Sequence, residues 1–242
     1  MTTSAALALG AAAAAANVAG AFAVTRSARF GLRFIETIVA FAAGFMLALA
    51  IVGAVPAALA KHPFEGATVV LLGYLLVHLS QHTLTPHFHF GEETHAVSHE
   101  ASSAALLGLL LHTFFDGVAI ASGFQVDAAL GVLFFVAIFL HKLPEGVTIS
   151  SLVLASGDSP RRAVLSAGFL GAATMLGVLL TTRLAFLVEY GLALSAGVTI
   201  YVGASNLVPE FQSKRSWRLP LAFFAGAGMF VGLRALLGSL LA

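Results

Sequence analysis

The chain has 242 residues, of which 59% are hydrophobic and 10% are charged, and its formal net charge is +1. Soluble globular domains have about 25% charged residues, so this composition excludes an ordinary soluble protein and favours one surrounded by lipid. The small net charge gives no reason to expect nucleic-acid binding, and the absence of cysteine excludes disulfides, thiolate metal sites and cysteine nucleophiles.

Eight apolar segments are long enough to cross a bilayer, which requires about 20 mainly apolar residues each. They are predicted at residues 4–25, 34–59, 65–84, 102–124, 128–155, 162–187, 191–211 and 218–240. The division between the sixth and seventh segments, around Arg183 and Glu189, is the weakest. The first segment is too long for the apolar region of a signal peptide, so we expect it to be retained. The sequence therefore predicts an all-α integral membrane protein in which residues 1–242 form one transmembrane domain.

Basic residues are concentrated in alternate joints between the segments. Eight of the twelve Lys and Arg residues follow the first, fifth and seventh segments, and three lie on the opposite side. Because cytoplasmic loops are enriched in Lys and Arg, we expect both termini outside the cytoplasm, in an inner (plasma) membrane. The joint at residues 85–100 is then cytoplasmic, and it carries His87, His89, His95 and His99.

Two segments carry ionisable side chains at mid-membrane, where such groups are costly and usually functional. The fourth has His112 and Asp116, and the fifth has His141 and Glu145, each pair spaced i, i+4. That spacing places both side chains of a pair on one helix face, about 6 Å apart. Two such faces opposite each other offer two imidazoles and two carboxylates, a set suited to Zn, Fe(II), Mn or Co. One pair alone is more often a structural hydrogen bond, but two pairs in adjacent segments favour a metal site.

Two unusual residues lie between the fifth-segment ligands. Pro144 removes a helical N–H and crowds the carbonyl group of Leu140, which predicts either a simple kink or a free carbonyl beside the site. A buried Lys142 would pair with an acid or lose its proton. Its ammonium group beside two carboxylates would substitute for a second cation. The other interpretation is a side chain that snorkels or faces a hydrated cavity, and the two are compatible.

The motifs HTFFDG at residues 112–117 and HKLPEG at residues 141–146 resemble those of the ZIP (Zrt/Irt-like) family of metal transporters, in its bacterial type. The eight segments, the outside termini, the histidine-bearing loop and the sequence NLVPE at residues 206–210 agree with this resemblance. It implies a 3+2+3 arrangement in which the first three and last three segments are inverted repeats around the fourth and fifth. It also implies a carrier, not an enzyme, that brings divalent ions into the cytoplasm by an elevator-like movement. Zinc is the first expectation, before Fe, Mn, Co or Cd.

The resemblance further implies roles for the matching residues. His112, Asp116, His141 and Glu145 would bind the transported ion. Met46 of the second segment would be an additional ligand.

A second metal position, found in some members of the family, is expected to be absent. Its ligands would stand where this chain has Thr113, Lys142 and Thr174, and a cation at one of these places opposes a second metal. Asn206 and Glu210 would lie near the cytoplasmic end of the transport path. The loop histidines either bind metal weakly or form an ordinary solvated loop.

Other functions are left open by the residues alone. A membrane-embedded hydrolase using zinc-activated water would need an open coordination position at the metal. The sequence contains no His-Glu-x-x-His motif, which is one mark of zinc hydrolases. A structural membrane protein would use the same polar groups only to join helices, and a cation-diffusion exporter usually has fewer spans and a soluble domain. The expected partners are a divalent ion and the lipid bilayer, with a homodimer as a candidate assembly.

Overall fold

A computed structural model describes residues 2–26, 32–60, 62–83, 98–212 and 214–241. The helices are Thr2–Thr25, Leu32–Ala48, Val55–Leu59, Pro63–Thr83, His99–Val126, Ala128–Ala155, Pro160–Thr181, Ala185–Tyr201, Val208–Gln212 and Arg218–Leu241, with π-helical segments at Leu49–Ala54 and Val202–Leu207. In the described ranges, eight helical stretches are long and apolar enough to cross a membrane. The predicted all-α membrane fold with eight spans is confirmed.

The eight spans are Thr3–Thr25, Arg33–Leu59, Pro63–Gln81, Ser102–Val126, Ala128–Ala155, Pro160–Thr181, Ala185–Leu207 and Arg218–Ser239. The prediction was wrong at the boundary between the sixth and seventh spans. Leu184 has an extended backbone, with φ −96° and ψ 117°, and it breaks the helix there. The predicted range 162–187 is therefore too long, and Glu189 lies inside the seventh span rather than in a joint.

The spans form a central group and two flanking pairs. The first span packs against the fifth and sixth, and the fourth packs against the sixth and fifth. We call these four spans the central bundle. The second span pairs with the eighth, and the third pairs with the seventh. The flanking pairs contact the central bundle mainly through the second and seventh spans.

Glycines let the helices of the central bundle meet at backbone distance. A Cβ atom on Gly117 of the fourth span would overlap the carbonyl oxygen of Thr174 in the sixth. A Cβ atom on Gly146 of the fifth span would overlap the carbonyl oxygen of Asn17 in the first in the same way. Small residues permit such close approach of membrane helices. The two motif glycines therefore fix how the fourth and fifth spans dock on their neighbours.

Gly117→Ala is expected to destabilise the protein, because the new methyl group would meet a helix backbone that cannot easily shift. We expect a loss of about 1–3 kcal/mol in unfolding free energy, measured as a lower thermal midpoint in detergent. Gly168→Ala is the matched control, because no described atom lies within 4 Å of a Cβ placed there. Equal midpoints for the two variants would contradict this packing.

Ion pairs connect the joints at the ends of the spans. Glu36, at the start of the second span, accepts hydrogen bonds from Lys214 over 2.9 Å and from Arg218 over 3.1 Å. His62, before the third span, has its Nε2 atom 3.1 Å from Glu189 Oε1 in the seventh. Both links join chain segments that eight alternating spans place on the same side of the membrane.

Candidate metal site

The four side chains of the two motifs meet at one buried point between the fourth and fifth spans. The residues are His112, Asp116, His141 and Glu145, and one ligand atom from each lies within 4.8 Å of the other three. The Nε2 atoms of the two histidines lie 3.4 and 3.3 Å from Asp116 Oδ2. They lie 3.8 and 3.9 Å from Glu145 Oε2. The structure thus brings together the four residues that the i, i+4 spacing singled out.

The histidine rings are oriented with Nε2 toward the carboxylates. His141 Nδ1 lies 2.9 Å from the carbonyl oxygen of Ala137, one turn earlier in the same helix. A carbonyl oxygen only accepts, so Nδ1 is the nitrogen that donates here, and a deprotonated Nε2 would offer its lone pair to an ion in the cluster. Holding the far nitrogen of a ring in this way is the usual preparation of a metal-binding histidine. His112 Nδ1 is buried and has no partner among the described residues.

Lys142 is the cation of this cluster. Its side chain is 0% exposed, so it does not reach a solvent-accessible cavity. The Nζ atom lies 2.7 Å from Asp116 Oδ2 and 2.9 Å from Glu145 Oε2. These are the same two oxygens that face the histidines. The structure therefore shows the pairing with carboxylates that the sequence suggested. Pro144 lies beside this residue inside the helix Ala128–Ala155.

Asn17 of the first span also reaches this cluster, and sequence reasoning missed it. Its Nδ2 atom donates to Glu145 Oε1 over 3.1 Å. Its Oδ1 atom is buried and has no partner among the described residues, which costs roughly 1–3 kcal/mol for an ordinary buried acceptor. The sequence contained a signal, because Asn17 is the single polar side chain between Ala5 and Val24.

The two threonines that the resemblance assigned to the second metal position, Thr113 and Thr174, both use their hydroxyl groups within their own helices. Thr113 Oγ1 donates to the carbonyl oxygen of Leu109. Thr174 Oγ1 donates to the carbonyl oxygen of Leu170 over 3.3 Å. Both threonines are fully buried. Neither hydroxyl group is hydrogen-bonded to the four-residue cluster.

The other predicted site residues lie on the second and seventh spans. Met46 is buried in the main apolar core, and its role as a ligand stays a prediction. Asn206 is half-buried within the π-helical segment Val202–Leu207. Glu210 belongs to the short helix Val208–Gln212 that follows. Their place on a transport path also stays a prediction.

Of the four histidines predicted to lie in the cytoplasmic loop, the structure describes one. His87, His89 and His95 lie outside the described residues. His99 is the first residue of the helix His99–Val126 rather than a loop residue, and its Nδ1 atom lies 3.3 Å from Asp158 Oδ2. A hydrogen bond from Arg162, helped by the nearby His99, holds the pKa of the Asp158 carboxyl group below its usual range. Metal binding by the loop stays a prediction.

The chain is similar to a known protein family and to several known proteins. A family model described as "ZIP Zinc transporter" matches residues 101–237, more than half of the chain. Zinc transporter ZIP9-B of Xenopus laevis is 28% identical over 162 residues, covering 62% of this chain and 53% of that protein. Zinc transporter ZIP6 of Homo sapiens is 28% identical over 163 residues, covering 61% and 21% respectively. Zinc transporter SLC39A7 of Mus musculus is 30% identical over 122 residues, covering 44% and 25%. The chain thus spans about half the length of the first of these relatives and less of the others.

Proposed function

We propose, from the premise that this chain belongs to the ZIP zinc transporter family, that it carries a divalent transition-metal ion, zinc first, across a membrane into the cytoplasm. The observation that carries the proposal is the buried group of two imidazoles and two carboxylates with ligand atoms within 4.8 Å of one another. Four nitrogen and oxygen donors are a usual ligand set for Zn²⁺. The relatives are named as zinc transporters, so they lend no support to a hydrolase.

Charge supports a single ion in this site. Two carboxylates and the ammonium group of Lys142 give a net charge of −1 when both histidines are neutral, and one divalent ion changes this to +1. A second divalent ion would leave +3 in a buried place, and uncompensated buried charge is costly. The hydroxyl groups of Thr113 and Thr174 are uncharged and donate to backbone carbonyl groups of their own helices, so they supply no negative charge that would offset this cost.

One tightly bound Zn²⁺ per protomer is therefore expected. The count is made by elemental analysis after extensive dialysis of the purified protein. It uses a background in which His87, His89, His95 and His99 are replaced by serine, so that metal held by these histidines is not counted. Two retained ions per protomer would contradict the single-ion site. If the parent protein retains one ion, Lys142→Met in the same background shows whether the ammonium group limits occupancy.

The pairing of helices supports the 3+2+3 arrangement with inverted repeats. In such an arrangement, spans one, two and three correspond to spans six, seven and eight, and span four corresponds to span five. The contact between spans one and five then has its counterpart between spans six and four. The contact between spans two and eight has its counterpart between spans seven and three, and all four contacts are present. The second and seventh spans each contain a π-helical segment, Leu49–Ala54 and Val202–Leu207. In each, a proline follows the segment by two residues, at Pro56 and Pro209. Paired irregularities at matching places are expected of two copies of one unit.

The same packing supports a carrier in which the central bundle moves as one body. The close glycine contacts tie the fourth span to the sixth and the fifth to the first, so the first and sixth spans would travel with the site. The second, third, seventh and eighth spans would form the stationary part. The excess of basic residues in alternate joints supports termini outside the cytoplasm of an inner (plasma) membrane. Contact with lipid, a homodimer and the bacterial type of the family belong to this proposal as well.

Uptake of metal by proteoliposomes tests the transport function directly. Vesicles containing the full chain should accumulate Zn²⁺ with saturation kinetics, and a panel of Fe²⁺, Mn²⁺, Co²⁺ and Cd²⁺ ranks the substrates. Protein-free vesicles give the leak. Binding of Zn²⁺ without uptake of any of these ions would contradict the proposed transport function. If the protein neither binds nor takes up these ions, the proposed metal site is contradicted as well.

A further inference from the structure

We infer that Asn17 determines which ions the site accepts, by restricting Glu145 to a single ligating oxygen. The inference rests on the proposed function, because it concerns the selectivity of the same metal site. The two carboxylate oxygens of Glu145 have different partners. Oε1 accepts the hydrogen bond from Asn17 Nδ2 over 3.1 Å. Oε2 accepts a hydrogen bond from Lys142 over 2.9 Å and is the oxygen that faces His112 and His141, at 3.8 and 3.9 Å.

The Asn17 amide is fixed in this orientation. The side chain is 0% exposed. Its Oδ1 atom would lie 2.8 Å from a Cβ atom on Gly146, so the missing side chain of that glycine provides the space for the amide. Turning the amide over would bring Oδ1 against Glu145 Oε1, and two acceptors cannot bond to each other. The N–H donor therefore stays on Oε1, even though this leaves Oδ1 without a partner among the described residues.

An ion at the cluster then receives one oxygen from Glu145. With His112, His141 and Asp116 this gives four donors, the number typical of protein-bound Zn²⁺. Because only Oε2 faces the histidines, binding through both Glu145 oxygens would require the carboxylate to turn, which would draw Oε1 away from Asn17 and would supply a fifth donor. Mn²⁺ favours six oxygen-rich ligands, so it gains more than Zn²⁺ from that extra oxygen. Asn17 is thus a positioning residue that favours zinc over manganese.

Asn17→Leu is the test, because leucine has a similar volume and no N–H donor. Affinities of the purified full chain for Zn²⁺ and Mn²⁺ are measured by competition with a chelating dye. The preference for Zn²⁺ over Mn²⁺ is expected to fall by about tenfold or more, the size of effect seen when a partner that orients a metal ligand is lost. Thr181→Val is the matched control, since Thr181 is equally buried and its hydroxyl group donates to the Gly177 carbonyl oxygen of its own helix rather than to a residue of the cluster.

The absorption spectrum of bound Co²⁺ gives a readout that a merely structural role would not change. Four-coordinate Co²⁺ absorbs visible light far more strongly than five- or six-coordinate Co²⁺. The wild-type protein and the Thr181→Val variant should give the intense spectrum, and Asn17→Leu should give the weak one. A weak spectrum in the wild-type protein overturns the inference even if Asn17→Leu fails to fold.

The outcomes separate this inference from the proposed function. A wild-type chain that binds none of these ions would defeat the metal site itself. A wild-type chain that binds Zn²⁺, together with an Asn17→Leu variant of unchanged selectivity and unchanged Co²⁺ spectrum, would defeat only the role of Asn17.

Discussion

Replacing His141 or Glu145 with alanine is expected to abolish metal uptake in protein that still folds and inserts. Each residue supplies one of the four donors that lie within 4.8 Å of one another. Loss of a donor should weaken metal binding by more than about 100-fold, beyond the 10- to 100-fold typical for residues that only orient a ligand. Uptake by proteoliposomes and Zn²⁺ binding in detergent measure the two effects separately.

His62→Ala is the matched control for loss of a histidine. His62 is half exposed, lies in the joint before the third span and pairs with Glu189 rather than with the cluster. Its replacement should leave uptake intact. Met46→Ala should reduce uptake less than the two ligand variants, because a thioether is a soft ligand that contributes little to a site of imidazoles and carboxylates. Wild-type uptake by His141→Ala or by Glu145→Ala would exclude the assigned ligands.

The spans and the four-residue cluster were predictable because their signals are local in sequence. Apolar length predicts a span, and i, i+4 spacing fixes a shared helix face. The sixth and seventh spans were divided wrongly because the break depends on the extended backbone of Leu184, in a stretch where Arg183 and Glu189 both looked like joint residues. His99 was assigned to a loop because its helix begins within a polar stretch. Hydropathy rises only after the helix has begun, so it does not mark the first helical residue.

The contribution of Asn17 was not predictable from periodicity. It depends on which helix lies beside the fifth span, and the sequence separation between Asn17 and Glu145 is 128 residues. The apolar composition of the first span indicates that lipid or other helices surround it, but it does not indicate which helix is its neighbour. The lone polar side chain in an otherwise apolar span indicated only that some partner existed.

Crosslinking the second span to the fifth is expected to stop uptake. The chain has no cysteine, so an introduced pair provides the only thiols. A Cβ atom on Gly53 would lie 3.5 Å from Leu130 Cδ1. Gly53→Cys combined with Leu130→Cys therefore places two thiols within reach of a short crosslinker. If the central bundle must move to release its ion, the crosslinked protein will bind Zn²⁺ but will not transport it, and a cleavable crosslinker will make the block reversible.

A second crosslink separates blocked movement from general damage. A Cβ atom on Gly203 of the seventh span would lie 2.9 Å from Leu47 Cγ of the second, and both spans belong to the stationary part of the proposed carrier. Gly203→Cys combined with Leu47→Cys should crosslink equally well and leave uptake near the uncrosslinked level. A channel would instead line a continuous polar path and conduct without large movements. Undiminished, non-saturating flux through protein fully crosslinked between Gly53 and Leu130 would therefore exclude a carrier that moves the fifth span.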